Sequence, residues 1–196
     1  IAPYAPRQFQ NLTFIPLLGG TGNVDYTLDA NHVVDHLSKA FCGEGQHLYV
    51  PAVVSHMQTK RTLMKEDSIR QILNAYDHLD VALVGIGTAD NTSSAFRSGY
   101  YSEEMKQQAV RDRVCGDICM HLFDKEGRTD CFPYNKQIVG VNLNKLKKVP
   151  YAIGIANGVR KAEAIRGAIK GGYINVLVTD AQCGEALTRL NDELNN

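Results

Sequence analysis

Residues 151–187, YAIGIANGVRKAEAIRGAIKGGYINVLVTDAQCGEAL, decide the fold. Tyr151–Ala156 is a short apolar run, and Asn157-Gly158 is a turn signal. Arg160–Lys170 sets Ala162, Ile165, Ala168 and Ile169 on one helical face, and Gly171-Gly172 stops that helix. Ile174–Val178 is a second apolar run, after which Thr179-Asp180 can cap another helix. Strand, helix, strand in this spacing predicts a βαβ unit. Ligands in such sheets sit where strands pass into helices. Here that place carries Asn157, Gly158, Arg160 and Lys161: backbone donors, a helix N-terminus and two cations. The combination suits a small, oxygen-rich, anionic ligand.

Working outward, the same alternation continues. Leu12–Leu18 reads as a buried strand ending at Gly19-Gly20-Thr21-Gly22-Asn23, and a helix is predicted over about 28–41 with Ala30, Val33, Val34, Leu37 and Phe41 inward. His47–Val54 reads as a strand, and Ser68-x-x-Gln71 resembles a capping box before a helix presenting Ile69, Ile72, Leu73 and Tyr76. Val81–Gly87 is a continuous apolar run, the mark of a strand covered on both faces. Thr88–Ser98 is a polar loop, rich in hydroxyls and amides and ending near Arg97; it is either a ligand-lining loop or a solvated connection. Ser102–Val110 is a short helix with an acidic first turn, Gly116–Phe123 places Asp117 directly before a strand-like run, and Ile138–Val141 is a further strand before a short helix at Asn142–Lys148. The expectation is an α/β fold: a mostly parallel open sheet with flanking helices, in one domain over 1–196.

Composition narrows function. The chain has 196 residues, 44% hydrophobic and 21% charged, with 21 basic and 21 acidic side chains. No basic surplus marks a nucleic-acid surface, and the densest cluster, Lys145, Lys147 and Lys148, fits a solvated helix face. No apolar run approaches the ~20 residues of a membrane span, so no membrane partner is expected. Five scattered cysteines without a Cys-x-x-Cys pair fit reduced thiols in a cytoplasmic protein, and neither a metal nor a cofactor is expected. His32 and His36 are four apart on the predicted helix but lack the Glu of a metalloprotease. No Gly-x-Ser-x-Gly elbow is present. Cys119 and His121 would share one strand face without an orienting third group. Gly19–Gly22 lacks the Lys-Ser/Thr ending of a P-loop. Asp117 is either a carboxylate that accepts paired hydrogen bonds from sugar hydroxyls or an ordinary cap or ion-pair partner.

Several motifs occur in order: Leu17-Leu-Gly-Gly20, Asp80–Gly87, Arg97-Ser-Gly-Tyr100, Gly116-Asp-Ile-Cys119 with Phe123-Asp124 and Gly127, Ile138-Val-Gly140, and Lys161–Ile165 with Gly171–Asp180. Together they resemble the effector-binding domain of the SorC family of bacterial sugar-responsive transcriptional regulators, over nearly the whole chain. The resemblance implies a sugar-phosphate-isomerase-like, Rossmann-like fold, a sugar or sugar-phosphate effector, a homodimer or homotetramer, and operator DNA bound through an N-terminal domain. It implies that Asp117 and Lys161 contact the effector, with Arg97 and the turn Gly20, Thr21 and Asn23 as further pocket elements; Asn157 and Gly158 join them from the helix-start reading. Lys161 at a helix start favours a phosphate. Two departures from the family pattern stand out. The helix-turn-helix and the first part of the effector domain would lie before Ile1, so the chain is expected to begin inside that domain. Where some members carry a Schiff-base lysine before Gly-Gly, this chain has Leu18, which has no amine. Ligand sensing is therefore expected, with a sugar-phosphate isomerase or deaminase on the same fold as the alternative and Asp117 as its one visible acid/base. An oligomerisation module with a vestigial pocket is a third reading.

Overall fold

The computed structural model describes residues 3, 11–22, 29–90, 93, 96 and 101–192. These form two compact units, one of residues 1–77 with 137–141 and one of 78–136 with 142–196.

In the first unit, strand β1 (Thr13–Phe14) pairs in parallel with β2 (Glu44–Gly45), and helix α1 (Ala30–Ala40) connects them. Asp29 caps α1 by accepting from the Asn31 N–H at 2.9 Å. Val34 and Ser38 are the residues α1 buries, while Val33 points outward; the inward stripe is narrower than the apolar spacing suggested. Helices α2 (Met57–Leu63) and α3 (Asp67–Ala75) follow. The capping box expected at Ser68 does not form. Helix α3 starts two residues earlier than that box requires, at Asp67, with Glu66 as N-cap and no side-chain cap bond, so Ser68 lies inside the first turn. The expected stripe of α3 holds: Ile69, Ile72, Leu73 and Tyr76 are buried, and the Tyr76 hydroxyl donates to Pro16 O at 2.7 Å. The stretches expected as strands at 12–18, 47–54 and 138–141 meet mainly through isolated bridges, Leu18–Gly140, Gly20–Pro51 and Val53–Ile138. Burial still alternates along Leu48, Val50, Ala52 and Val54, but Pro16 and Pro51 have no N–H to offer a continuous ladder.

The second unit contains β3 (Val81–Gly85), β4 (Gly87–Thr88), α4 (Glu103–Arg111), β5 (Val114–Ile118), β6 (His121–Asp124), α5 (Leu143–Leu146), β7 (Tyr151–Ile155), α6 (Ala162–Lys170), β8 (Val176–Val178) and α7 (Ala181–Asp192). The predicted βαβ unit is β7–α6–β8. It belongs to a parallel sheet of order β3-β7-β8, in register Val81–Tyr151 and Ile153–Val176. Asn175 stitches this sheet: its Oδ1 accepts from the Ala152 N–H at 2.9 Å, and its Nδ2 donates to Val149 O and Pro150 O. Helix α6 is preceded by a 3-10 turn, Val159–Lys161. Its buried face includes Ala164 and Gly167 with Ala162, Ile165 and Ala168, whereas Ile169 in the last turn is exposed. Small residues bring α6 close to β5 and β6, and a Cβ on Gly167 would lie 2.9 Å from Asp124 O.

Two strand expectations change. The run Val81–Gly87 is not one strand covered on both faces: β3 ends at Gly85, with Ala82 and Val84 buried but Val81 and Leu83 exposed. Gly116–Phe123 is a hairpin rather than one strand. In it β5 turns into β6 at Cys119-Met120, and β4 pairs on the other side in an antiparallel order β4-β5-β6. Both turn residues have positive φ, 47° and 62°, the backbone of a type I′ two-residue loop. Asp117 is therefore inside a strand, paired with Gly87 and Leu122, and not at a strand mouth.

Asn175→Ala removes the acceptor and both donors from this stitch. We expect it to lower stability by about 1–3 kcal/mol in urea unfolding, with far-UV circular dichroism of the native state unchanged.

Candidate functional site

Asp117 anchors the candidate site. Its carboxylate leans across the cross-strand partner Gly87, so that a Cβ there would sit 2.0 Å from Asp117 Oδ1. Only glycine leaves room for that side chain. Asp117 is 6% exposed, and its Oδ1 is buried without a hydrogen-bond partner. Burial pushes the carboxyl up to about 6, opposed by the backbone N–H of Met120 and the charge of Lys161. The Met120 N–H reaches the carboxylate because the hairpin turns through a left-handed backbone, and the buried Tyr101 hydroxyl holds Met120 O at 3.0 Å. Tyr101 stacks on Phe96 and packs at a tilt against Tyr134, with ring centroids at 4.6 and 4.7 Å. Asn135 clamps the second strand, accepting from Leu122 N–H and donating to Leu122 O, both at 2.8 Å.

Lys161 approaches from the turn that opens α6. Its ammonium donates to Ile86 O, the residue joining β3 to β4, at 2.5 Å. An ammonium has three donors, so this bond fixes the charge beside Asp117 without exhausting it. The site thus lies at the C-terminal end of β3, where an α/β sheet places ligands.

The Asn157–Gly158 turn is differently employed. Gly158 has φ 92°, a backbone that favours glycine, and its N–H donates to Asp180 Oδ2 at 2.5 Å. Asp180 Oδ1 accepts from Cys183 N–H at 2.9 Å, capping α7 as expected. These two N–H bonds lead the causes that hold its carboxyl below the usual range. A resident carboxylate therefore already takes the Gly158 donor that the sequence reading assigned to an anionic ligand. Asn157 and Arg160 are exposed.

Gly20 and Thr21 belong to the other unit. Their N–H groups are committed within it: Gly20 to Val50 O at 2.7 Å, and Thr21 to Asp29 Oδ2 at 2.9 Å. Asn23 and Arg97 lie outside the described residues. Among the sequence-named positions, the structure brings Asp117 and Lys161 together, and Gly158 with Asp180. Sequence reasoning missed Gly87, Tyr101 and the Met120 N–H. The Gly-Ile-Gly run gave a glycine signal for the first, but nothing in Cys119-Met120 signalled a hairpin turn.

Other chemistries have less support. Among the described residues, no group of three His, Cys, Asp or Glu could hold a metal ion. His32 and His36 contact each other, with ring centroids 4.4 Å apart. Cys119 is in the hairpin turn, not on an extended strand face with His121, and burial with the Asp117 charge pushes its thiol up to about 12. That suppresses the thiolate a nucleophile needs. No helix among the described residues is long and apolar enough to cross a membrane.

Comparison with known proteins places the chain in a family. The family described as "Putative sugar-binding domain" matches residues 1–189. The chain is similar to the deoxyribonucleoside regulator of Bacillus subtilis, 30% identical over 93% of this chain and 58% of the relative. It is similar to the sorbitol operon regulator of Klebsiella pneumoniae, 28% identical over 93% and 58% of the two chains. The crystal structure of the full-length sorbitol operon regulator SorC from Klebsiella pneumoniae superposes with a TM-score of 0.87 at 29% identity, covering 95% of this chain and 61% of that one. The fold is that of an α/β domain of the sugar-binding kind. The chain belongs to this sugar-binding domain family, of the kind found in SorC-type transcriptional regulators, and it spans less than two thirds of the length of the curated relatives it matches.

The raised carboxyl gives a signed pH test. The folded protein holds the Asp117 proton to about pH 6, whereas an unfolded aspartate releases it near ~3.9. Stability from this group is full below pH ~4 and is lost as pH rises through about 6. Asp117→Asn should abolish that slope and stabilise the ligand-free protein at pH 7, by on the order of 3 kcal/mol, in urea unfolding at pH 4 and pH 7.

Proposed function

We propose that this chain, over residues 1–196, is the effector-binding domain of a bacterial transcriptional regulator, and that it senses a sugar or sugar phosphate without transforming it. The observation that carries this reading is the buried, unpartnered Oδ1 of Asp117 in the field of Lys161. An unsatisfied buried carboxylate oxygen is costly alone and favourable once a ligand hydroxyl donates to it. Lys161, tethered to Ile86 O, keeps donors for a second ligand oxygen. Asp180 beside Gly158 weighs against a phosphate in that turn. We therefore assign the sugar's hydroxyl edge to Asp117 and Lys161.

In the full regulator, effector binding energy that differs between two quaternary arrangements shifts the operator-binding equilibrium. Operator DNA is contacted through an N-terminal domain outside this chain, which fits the balanced charge of 21 basic and 21 acidic residues. The working form is a homodimer or homotetramer in the cytoplasm, where the five free cysteines stay reduced. The names of the relatives, a sorbitol operon regulator and a deoxyribonucleoside regulator, support carbohydrate as the ligand class.

Calorimetry on the full-length regulator with pentoses, hexoses, hexitols and their monophosphates tests this. We expect saturable binding of at least one, weakened more than tenfold by Lys161→Ala. Absence of heat across the whole set, or unchanged affinity in both Lys161→Ala and Asp117→Ala, sinks the reading. A carboxyl near 6 also suits a general base, so an isomerase or deaminase remains the second reading. Conversion of ribose or hexosamine phosphates followed by NMR would replace sensing with catalysis.

A further inference from the structure

A second side chain converges on Asp117. Ser93 is 6% exposed, although the loop around it is polar. Its Oγ lies 3.1 Å from the point where a Gly87 Cβ would be, and Asp117 Oδ1 lies 2.0 Å from that same point. The two oxygens therefore flank one spot from two elements, strand β5 and the loop after β4. One is an acceptor without a partner; the other is a hydroxyl, which can donate. The distances of 2.0 and 3.1 Å to that point put the two oxygens no more than 5.1 Å apart, within the reach of a single oxygen that bridges them with O–H···O bonds of about 2.7–2.8 Å on each side.

We propose that Ser93 and Asp117 form one hydroxyl-reading subsite seated over Gly87, in which a single ligand hydroxyl donates to Asp117 Oδ1 and accepts from the Ser93 hydroxyl. The occupant is a neutral alcohol group, because a phosphate oxygen brings negative charge against a buried carboxylate and has no proton to give it. Gly87 acts as a positioning residue: without a side chain it lets the carboxylate lie across its strand, 2.0 Å from where a Cβ would stand. Ser93 supplies specificity, since a subsite that both donates and accepts rejects an analogue lacking the hydroxyl. This inference rests on the proposal that the domain binds a carbohydrate, and it adds which kind of oxygen is read and by which second residue.

The test crosses the protein with its ligand. Full-length wild type, Ser93→Ala and Asp117→Ala are titrated calorimetrically with the tightest-binding unphosphorylated sugar or hexitol of the set above and with each of its monodeoxy analogues. We expect Ser93→Ala to weaken the parent compound about five- to tenfold. It should leave one monodeoxy analogue unaffected, and that same analogue should be the one insensitive to Asp117→Ala. Wild type that binds the parent while Ser93→Ala binds it equally well overturns the subsite and spares the sensing reading. Ser93 and Asp117 sensitivities that vanish with different deoxy positions overturn it too. Wild type that binds none of the set overturns both. A ligand-independent arm checks the seat: Gly87→Ala should lower the urea midpoint clearly in wild type and much less in the Asp117→Ala background. An equal loss in both backgrounds removes Gly87 from the argument.

Discussion

The Asp117 carboxylate, laid across Gly87 and closed off from water, is the constraint on which the rest of the site depends. A charge in that position is stable only if neighbouring groups are fixed to receive it. Two are: the Met120 N–H and the Lys161 ammonium, both of which act against the burial that raises its carboxyl to about 6. One oxygen is left over. A buried acceptor held open in this way is the opposite of what stability selects, and is expected where a ligand completes the network.

Each supporting group is fixed through the backbone, the Met120 N–H by its turn and the Lys161 ammonium by its bond to Ile86 O. Cys119 and Met120 both adopt left-handed φ, a conformation that costs non-glycine residues on the order of 1–2 kcal/mol each. Tyr101 binds the Met120 carbonyl from behind while its ring packs against two others. Lys161 is pinned to the carbonyl that joins the parallel sheet to the antiparallel one. A ligand that pulls on Asp117 therefore acts on a hairpin, a helix start and the end of β3 at once. That is a route by which occupancy could bias a larger rearrangement, because packed elements shift between discrete arrangements rather than deform continuously.

Much of this was legible in the sequence, and its failures have identifiable causes. The βαβ unit at 151–178 was plain because helical spacing, a double-glycine stop and two apolar runs all agree. Asp180 as a cap was equally plain from its place before α7, but its second bond, to Gly158, joins residues 22 apart in sequence and has no local signature. The hairpin was hidden because type I′ turns are usually marked by Asn-Gly or Asp-Gly, and Cys119-Met120 carries neither. The capping box at Ser68 matched a four-residue pattern, yet the helix began at Asp67. Lys161 stood out as a cation at a helix start and Asp117 as a carboxylate before a strand-like run, and the family resemblance joined them as effector contacts. Their meeting is visible only once β5 pairs with β4, because Gly87 and Asp117 are far apart in the chain. The commitment of the Gly20 and Thr21 N–H groups to Val50 O and Asp29 likewise depends on tertiary contacts that composition does not reveal.

The central claim is that Asp117 is a buried carboxylate awaiting a donor, and carboxyl-carbon NMR of the 13C-labelled aspartates tests it directly. The Asp117 resonance, assigned through Asp117→Asn, is titrated with and without a saturating sugar that the protein binds. The account predicts a carboxyl near 6 in the free protein and a marked fall on saturation, because ligand hydroxyls stabilise the charged form. An Asp117 carboxyl that titrates like an exposed aspartate in the free protein, or one that the bound sugar leaves unmoved, would contradict it.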